Sequence, residues 1–280
     1  MYNELLKNTA KKYNSIVCLG LDPVLSDIPL DGKPGKIILS FYEEILNKII
    51  QRKVYPSAVK PNYAFYAQYG IEGIEALHTI ISLYKNEGLP IILDVKRGDI
   101  GKTAAAYAKE AFDFFQADAV TLSPYLGYDS IGPFIDYKPE GGFYMLVKTS
   151  NKTSVELQDV QVGEEPFFLY VAKKIMDWYQ PGLGAVVGAT FPEQLDQIVN
   201  IINNSDRELP LLIPGIGSQG GDLKSVLTVL ENSKDYTLHR INSSSAINYA
   251  YKKKSDMHFA DAAVDALEEL NNQISELIGA

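Results

Sequence analysis

The stretch PIILDVKRGDIGKTAAAYAKEAFDFFQADAVTLSP, residues 90–124, contains one full period of the pattern that decides the fold. It starts with the apolar run 90–96, continues through a helical pattern from Ala104 to Phe115, and ends in a second apolar run at 117–124. Short, continuously apolar runs are typical of parallel strands that helices cover on both faces. The stretch therefore predicts a strand–helix–strand unit whose strands are parallel.

The same alternation continues along the whole chain. Helical patterns separate the strand-length runs, and a closing helix is predicted at 259–277. This alternation favours an α/β fold, a single closed (β/α)8 TIM barrel, over an open doubly wound sheet. The segment after the start of the first strand, residues 19–24, also lacks the G-x-G-x-x-G motif of a dinucleotide-binding sheet. No linker divides the chain, so residues 1–280 are interpreted as one domain. Eight apolar runs are present, at 16–22, 56–62, 90–96, 117–124, 142–151, 182–190, 209–217 and 236–245.

Composition excludes several classes of function. The net charge of −9 argues against a nucleic-acid or anionic-membrane partner. Cys18 is the only cysteine and the three histidines are scattered, so neither a disulfide nor a His- or Cys-based metal site is expected. Residues 1–15 contain no apolar signal core, and no stretch approaches the ~18 apolar residues of a membrane span. These features predict a cytoplasmic protein.

Charged side chains follow the strand at 90–96, where Asp94, Lys96 and Asp99 occur within six residues. Burying a charge costs several kcal/mol unless the charge is paired or used. Because the carboxyl ends of all barrel strands meet at one mouth, polar strand endings converge there, and we predict the active site at that mouth. The other polar strand endings are Asp22, Lys60, Asn62, Thr149, Ser150 and Gln219.

Each of these charges also has a purely structural interpretation. Asp99 precedes a predicted helix and could be its N-cap, and Lys96 could form a stabilising ion pair with its neighbours. Arg97 is interpreted as a solvated or supporting charge. The functional interpretation is preferred because several independent strand endings agree.

A glycine-rich segment, PGIGSQGGD at 214–222, follows the seventh predicted strand and precedes a helix. Glycines allow close approach of the backbone to a ligand, and helix N-termini bind anions. Barrels often hold phosphate between the ends of their seventh and eighth strands. The segment therefore predicts a phosphate site.

These residues together resemble the longer branch of the orotidine 5′-phosphate decarboxylase family. LDVKRGDIGKTAAAYA at 93–108 has the family's D-x-K-x-x-D signature in its K-R-G-D form. The resemblance implies decarboxylation of orotidine 5′-monophosphate to uridine 5′-monophosphate, without a metal or other cofactor, by a homodimer with shared active sites. The other matching segments are GLDP (20–23), VKPNYAFY (59–66), TLSPYLGYDS (121–130), VKTSN (147–151) and PGIGSQGGD (214–222).

The resemblance also implies a role for each candidate residue. Asp94 would lie against the substrate carboxylate, and Lys96 would deliver a proton to C6. Asp99 and Thr103 would reach the ribose of the partner subunit's site. Asp22, Lys60 and Asn62 would hold the ribose hydroxyls and support the array of charges. Thr149 and Ser150 would bind the pyrimidine edge, and Pro214 would line the base pocket. The phosphate would be bound by Gln219, Gly220, Ser244 and Ser245.

The chemistry suits a lysine among carboxylates. Loss of CO₂ from C6 leaves a carbanion without a conjugated electron sink, so catalysis must be electrostatic. An ammonium group held at C6 stabilises the developing negative charge and then acts as the acid.

One position departs from the family pattern, because Ser245 occupies the place of a phosphate-binding arginine after the eighth strand. Either the amides and hydroxyls of Ser244 and Ser245 bind the phosphate, or another cation does, and Arg240 is nearby in sequence. Two other functions stay open: a Mg²⁺-dependent sugar-phosphate enzyme of the same superfamily, and a non-catalytic barrel that senses a nucleotide.

Overall fold

The computed structural model describes residues 1–216, 220–254 and 256–278. Its centre is an eight-stranded parallel sheet in which each strand neighbours the next along the chain, and the first neighbours the eighth. Parallel bridges between Val59 and Ile91 and between Asn62 and Asp94 close the sheet. The predicted closed (β/α)8 barrel is confirmed. The strands are β1 (Val17–Leu21), β2 (Ala58–Pro61), β3 (Ile92–Arg97), β4 (Ala119–Leu122), β5 (Gly142–Lys148), β6 (Leu183–Val187), β7 (Leu211–Pro214) and β8 (Arg240–Ser243).

Twelve α-helices are present in the described part of the chain, and the longer ones surround the barrel. The helix predicted at 104–115 is α5, which continues through a π-helical turn at Glu110–Phe114. The α-helices are α1 (Tyr2–Tyr13), α2 (Pro34–Arg52), α3 (Tyr63–Ala67), α4 (Gly70–Asn86), α5 (Gly101–Lys109), α6 (Gly132–Tyr137), α7 (Val155–Gln158), α8 (Phe167–Asp177), α9 (Pro192–Asn203), α10 (Leu223–Glu231), α11 (Ser245–Asn248) and α12 (Phe259–Ile278). A two-stranded hairpin, Gln161–Val162 with Glu165–Pro166, lies between α7 and α8.

The barrel interior is built in layers because strand side chains alternate between faces. Small and branched apolar residues form one buried layer, which includes Cys18, Ala58, Ile92, Ala119 and Leu212. Two residues further along each strand, the inward position is polar on β2, β3 and β4. Because inward-facing positions recur every two residues, the apolar layer lies directly below a polar layer at the barrel mouth. We call this apolar layer the apolar floor.

The amino end of the barrel is covered by α1, a helix that the strand–helix alternation did not predict. Tyr2 and Leu6 of α1 pack into the apolar layer, and the Tyr2 hydroxyl lies 3.0 Å from the Tyr144 hydroxyl. Arg240, which is fully buried, donates from Nη2 to the Leu6 carbonyl at 2.5 Å and to Thr9 Oγ1 at 3.1 Å. Arg240 thus binds α1 at the end of the barrel opposite the mouth. The suggestion that Arg240 replaces the phosphate-binding arginine is wrong.

Among the helices of the described residues, none combines the length and the apolarity needed to cross a bilayer.

Candidate active site

A cavity of about 460 Å³ opens at the carboxyl ends of the strands, where the sequence places the active site. Side chains from strands on all sides of the barrel line it. The structure brings together nine predicted residues in this cavity: Asp22, Lys60, Asn62, Asp94, Lys96, Thr149, Ser150, Pro214 and Ser244.

A chain of alternating charges crosses one wall of the cavity. Lys60 Nζ donates to Asp94 Oδ2 at 3.1 Å and lies 3.8 Å from Asp22 Oδ1. Lys96 Nζ donates to Asp94 Oδ1 at 2.6 Å. The Lys60 and Asp94 side chains are only 6% and 7% exposed, whereas the Lys96 side chain is 47% exposed. Lys96 is therefore the more exposed of the two lysines that line the cavity.

Electrostatics keep the buried part of this array charged. Burial alone would raise the pKa of the Asp94 carboxyl. The Lys60 and Lys96 ammonium groups and a hydrogen bond from Thr121 lower this pKa, and their combined effect is larger than that of burial. The result is a pKa well below the ordinary aspartate range. Burial lowers the pKa of the Lys60 ammonium, and Asp22 and Asp94 more than offset this, so its pKa lies above its usual value.

Asp99 and Thr103 stand outside the described lining of the cavity. Asp99 is half-buried, and its Oδ1 accepts a hydrogen bond from the Ile100 amide at 2.8 Å. Ile100, not Asp99, occupies the N-cap position of α5, and no side chain caps that helix. The N-cap interpretation of Asp99 is therefore wrong. Thr103 lies exposed in the first turn of α5.

The end of β5 is held by the end of α7 and the residue after it, which the sequence analysis did not predict. Gln158 Oε1 accepts from the Thr149 amide, and Gln158 Nε2 donates to Thr149 Oγ1, both at 2.9 Å. Next to this pair, the fully buried Lys148 ammonium donates to Asp159 at 2.6 Å. The Thr149–Ser150 segment is thus anchored on the segment that carries Gln158 and Asp159.

The wall formed by β7 and β8 contains the predicted phosphate side of the cavity. Pro214 and Ser244 line it, while Ser245, the first residue of α11, is exposed and stands outside the described lining. Gly220 is exposed, has a positive φ of 83°, and is likewise outside that lining. Gln219 lies outside the described residues.

Other residues of the cavity were not predicted. Thr121 is the single polar residue of its strand, and that interruption is a signal that could have found it, whereas Asn242 lies in the largely polar strand β8 and has no such signal. The apolar lining residues carry no such signal, because their sequence pattern is that of any core position; they are Phe65, Leu146, Val186, Leu212 and Ile216.

The part of the chain that the structure describes, residues 1–216, 220–254 and 256–278, contains three histidines and one cysteine. No group of three or more histidine, cysteine, aspartate or glutamate side chains in this part of the chain is arranged to hold a metal ion.

A closed β/α barrel with a charged array at its carboxyl mouth defines the class of β/α-barrel enzymes. The chain belongs to the orotidine 5′-phosphate decarboxylase / HUMPS family, whose model matches residues 15–257.

Individual relatives agree with this family. The chain is 39% identical to the orotidine 5′-phosphate decarboxylase of Ralstonia nicotianae, with 98% of each chain covered. It is 41% identical to the enzyme of the same name from a Janthinobacterium species, with 94% and 93% covered. Among solved structures it is similar to Leishmania donovani OMP decarboxylase, with a TM-score of 0.82, 32% identity and coverage of 100% and 99%. It also matches Leishmania donovani UMP synthase with a TM-score of 0.81 and 35% identity, covering 99% of this chain and 56% of that longer one.

Proposed function

We propose that this protein decarboxylates orotidine 5′-monophosphate to uridine 5′-monophosphate and CO₂. The observation that carries the proposal is the Lys60–Asp94–Lys96 array, which the fold holds at the mouth of a 460 Å³ cavity. Family membership and the relatives' names support the same reaction. We also propose that residues 1–280 act as one catalytic domain, while the cytoplasmic location stays a prediction from sequence.

The array supplies what the reaction needs at C6. As the bond between C6 and the carboxyl carbon breaks, CO₂ departs and the electron pair stays on C6. The Lys96 ammonium, exposed to the cavity and held by Asp94, stabilises that pair electrostatically and then transfers a proton to it. Solvent returns a proton to Lys96. The reaction as proposed uses no metal or other cofactor.

The resemblance to the family supplies proposed roles for the other candidate residues, of which Asp22, Lys60, Asn62, Thr149, Ser150, Pro214 and Ser244 line the cavity. Asp22, Lys60 and Asn62 on the β1–β2 side are proposed to hold the ribose, and Thr149 and Ser150 the pyrimidine edge. Pro214 is proposed to pack against the base. Phosphate binding is proposed for Gln219, Gly220, Ser244 and Ser245. Binding energy from the phosphate, which is remote from C6, serves to align the base with Lys96.

We further propose a homodimer in which Asp99 and Thr103 serve the partner subunit's site. Both residues lie outside the described cavity lining of their own chain, which is what a role in a second site requires. Large apolar side chains are exposed nearby: Ile100 is 51% exposed and Tyr125 is 73% exposed. Exposed apolar patches of this kind are typical of protein–protein contact surfaces. In such a dimer Asp99 would place a second carboxylate beside the partner's Lys96.

The direct test is to follow the ultraviolet absorbance of orotidine 5′-monophosphate mixed with purified protein. Conversion to uridine 5′-monophosphate is the expected result. Tight nucleotide binding without turnover would instead support the sensing barrel and overturn the enzymatic proposal.

A chelator separates the decarboxylase from the Mg²⁺-dependent sugar-phosphate enzymes. We expect kcat to be unchanged after dialysis against EDTA, because the proposed stabilisation of C6 comes from Lys96 and not from a metal. The measurement is kcat before and after dialysis, with and without added Mg²⁺. A loss of turnover that Mg²⁺ restores would contradict the metal-free mechanism.

Arginine at position 245 should strengthen phosphate binding if this position faces the phosphate. Ser245 is exposed at the start of α11, directly after the cavity-lining Ser244, so a longer side chain has room to turn toward the ligand. Charge-assisted, bidentate contacts are about twice as strong as neutral ones. We expect Ser245→Arg to lower KM, while Ser245→Gln, a long neutral control, leaves it near wild type. Equal KM values in a folded Ser245→Arg variant would mean that position 245 does not face the phosphate.

A further inference from the structure

Thr121 of β4 makes three hydrogen bonds with β3 at the base of the charged array. Its Oγ1 accepts from the Val95 amide and from the Lys96 amide, each at 3.0 Å. The same hydroxyl donates to Asp94 Oδ1 at 2.8 Å. A hydroxyl has one proton and two lone pairs, so all its bonding capacity is used. A backbone N–H group can only donate, and an ionised carboxylate can only accept. The direction of each of the three hydrogen bonds is therefore fixed.

The backbone of β3 is irregular where Thr121 meets it. Leu93 pairs with Val120 and Arg97 pairs with Leu122, so Asp94, Val95 and Lys96 all lie opposite Thr121 alone. Lys96 has a φ of 46°, in the left-handed region that a residue with a Cβ rarely adopts. Such a conformation persists only where surrounding contacts hold it. The Thr121 hydroxyl supplies these contacts. Its oxygen accepts hydrogen bonds from the two backbone N–H groups that the irregular part of β3 turns away from regular strand pairing.

The two ends of the Lys96 side chain therefore depend on one hydroxyl. At the backbone end, Thr121 holds the Lys96 amide. At the ammonium end, Lys96 Nζ binds Asp94 Oδ1, the same oxygen that Thr121 orients. Asp94 Oδ2 is left for Lys60. Rotation of the Asp94 carboxylate would break the Thr121 bond as well as both lysine contacts.

We propose that Thr121 is the positioning residue that fixes the Lys96 ammonium for proton transfer to C6. The proposal rests on the decarboxylase function proposed above. Thr121 is 1% exposed, so it acts on the reaction through Lys96 and Asp94 and not by donating a proton itself.

The matched substitutions are Thr121→Val, which keeps the shape and removes the hydroxyl, and Thr121→Ser, which keeps the hydroxyl. A misplacement of about 1 Å in a reacting group costs on the order of 10²-fold in rate. We expect Thr121→Val to lower kcat about 10- to 100-fold with KM changed less than about 3-fold, because substrate binding relies on other residues. Thr121→Ser should retain kcat within about 3-fold of wild type.

A purely structural role gives a different result. With a purely structural role, Thr121→Val would have a lower melting temperature and a smaller fraction of active protein. Its kcat per folded molecule would stay at the wild-type value. That outcome would overturn the proposal. If Thr121→Val does not fold, Thr121→Ala and Thr121→Ser replace the pair, because both lack the methyl group and differ only in the hydroxyl. Equal kcat values for these two would then overturn it.

The proposed function and the positioning role fail in different ways. A wild-type protein that does not turn over orotidine 5′-monophosphate overturns the decarboxylase function, and the positioning role falls with it. An active wild type together with an equally active Thr121→Val variant overturns the positioning role alone.

Discussion

Replacing Lys96 by alanine should lower kcat by at least the ~10²–10⁴ that the loss of a positioned general acid costs. The substitution removes both the proton donor and the positive charge that faces C6. It leaves Asp94 with a carboxylate oxygen that had been bonded to Lys96 Nζ at 2.6 Å, so a repelling charge stays beside the substrate carboxylate. The measurement is single-turnover decay of orotidine 5′-monophosphate absorbance with enzyme in excess.

Arg97→Ala is the matched control, because it removes the next positive charge along the same strand. The Arg97 guanidinium pairs with Glu110 at 2.9 Å and stacks 4.1 Å from the centre of the Tyr107 ring, so it is directed toward α5. We expect its kcat to stay within about tenfold of wild type. A Lys96→Ala variant as active as Arg97→Ala, with both folded, would show that Lys96 is not the acid.

Mixing two inactive variants should restore about a quarter of wild-type activity if the sites are shared between subunits. The variants are Lys96→Ala and Asp99→Ala. In a heterodimer, one site receives both lesions and the other receives neither, so half of the sites are intact. Random exchange makes half of the dimers heterodimers, which gives the factor of about one quarter. The measurement is the specific activity of the mixture against each variant alone.

Subunit exchange has to be demonstrated in the same mixture, for which a mass-tagged subunit and native mass spectrometry are suitable. A mixture that exchanges and stays inactive would contradict the shared site, since every site would then keep a lesion. This outcome would leave the decarboxylase function standing. Asp99 would then have a local role in its own chain, where its side chain accepts a hydrogen bond from the Ile100 amide.

The sequence predicted the barrel and half of the residues that line the cavity, because both follow from local patterns. Apolar runs and helical spacing are visible within a few residues, and Lys60, Asp94 and Lys96 end their strands where the barrel rule places a site. The position of Arg240 was also within reach of this reasoning. Ser244 lies four residues further along, at roughly 3.3 Å per residue, so Arg240 starts about 13 Å below the mouth.

The remaining features depend on contacts between distant parts of the chain. The left-handed φ of Lys96 follows from three residues of β3 opposing Thr121, a register that no local pattern encodes. Gln158 holds Thr149 from the end of α7, a helix of four residues that is too short to leave a helical pattern in the sequence. The covering of the barrel by α1 depends on Arg240, more than 200 residues away in sequence. Pairings of this kind appear only when the fold is known.

The covering of the amino end by α1 also bears on the route by which the products leave. Tyr2, Leu6 and Arg240 fill the space below the apolar floor, so a gas molecule released above that floor faces packed side chains in one direction. Under the proposed reaction, the nucleotide would lie on the other side, toward the mouth. CO₂ would then leave through the mouth of the barrel, where the cavity opens. Under the proposed reaction, the exit of CO₂ and the reopening of the nucleotide site share one route, so tight retention of uridine 5′-monophosphate slows the clearance of both products.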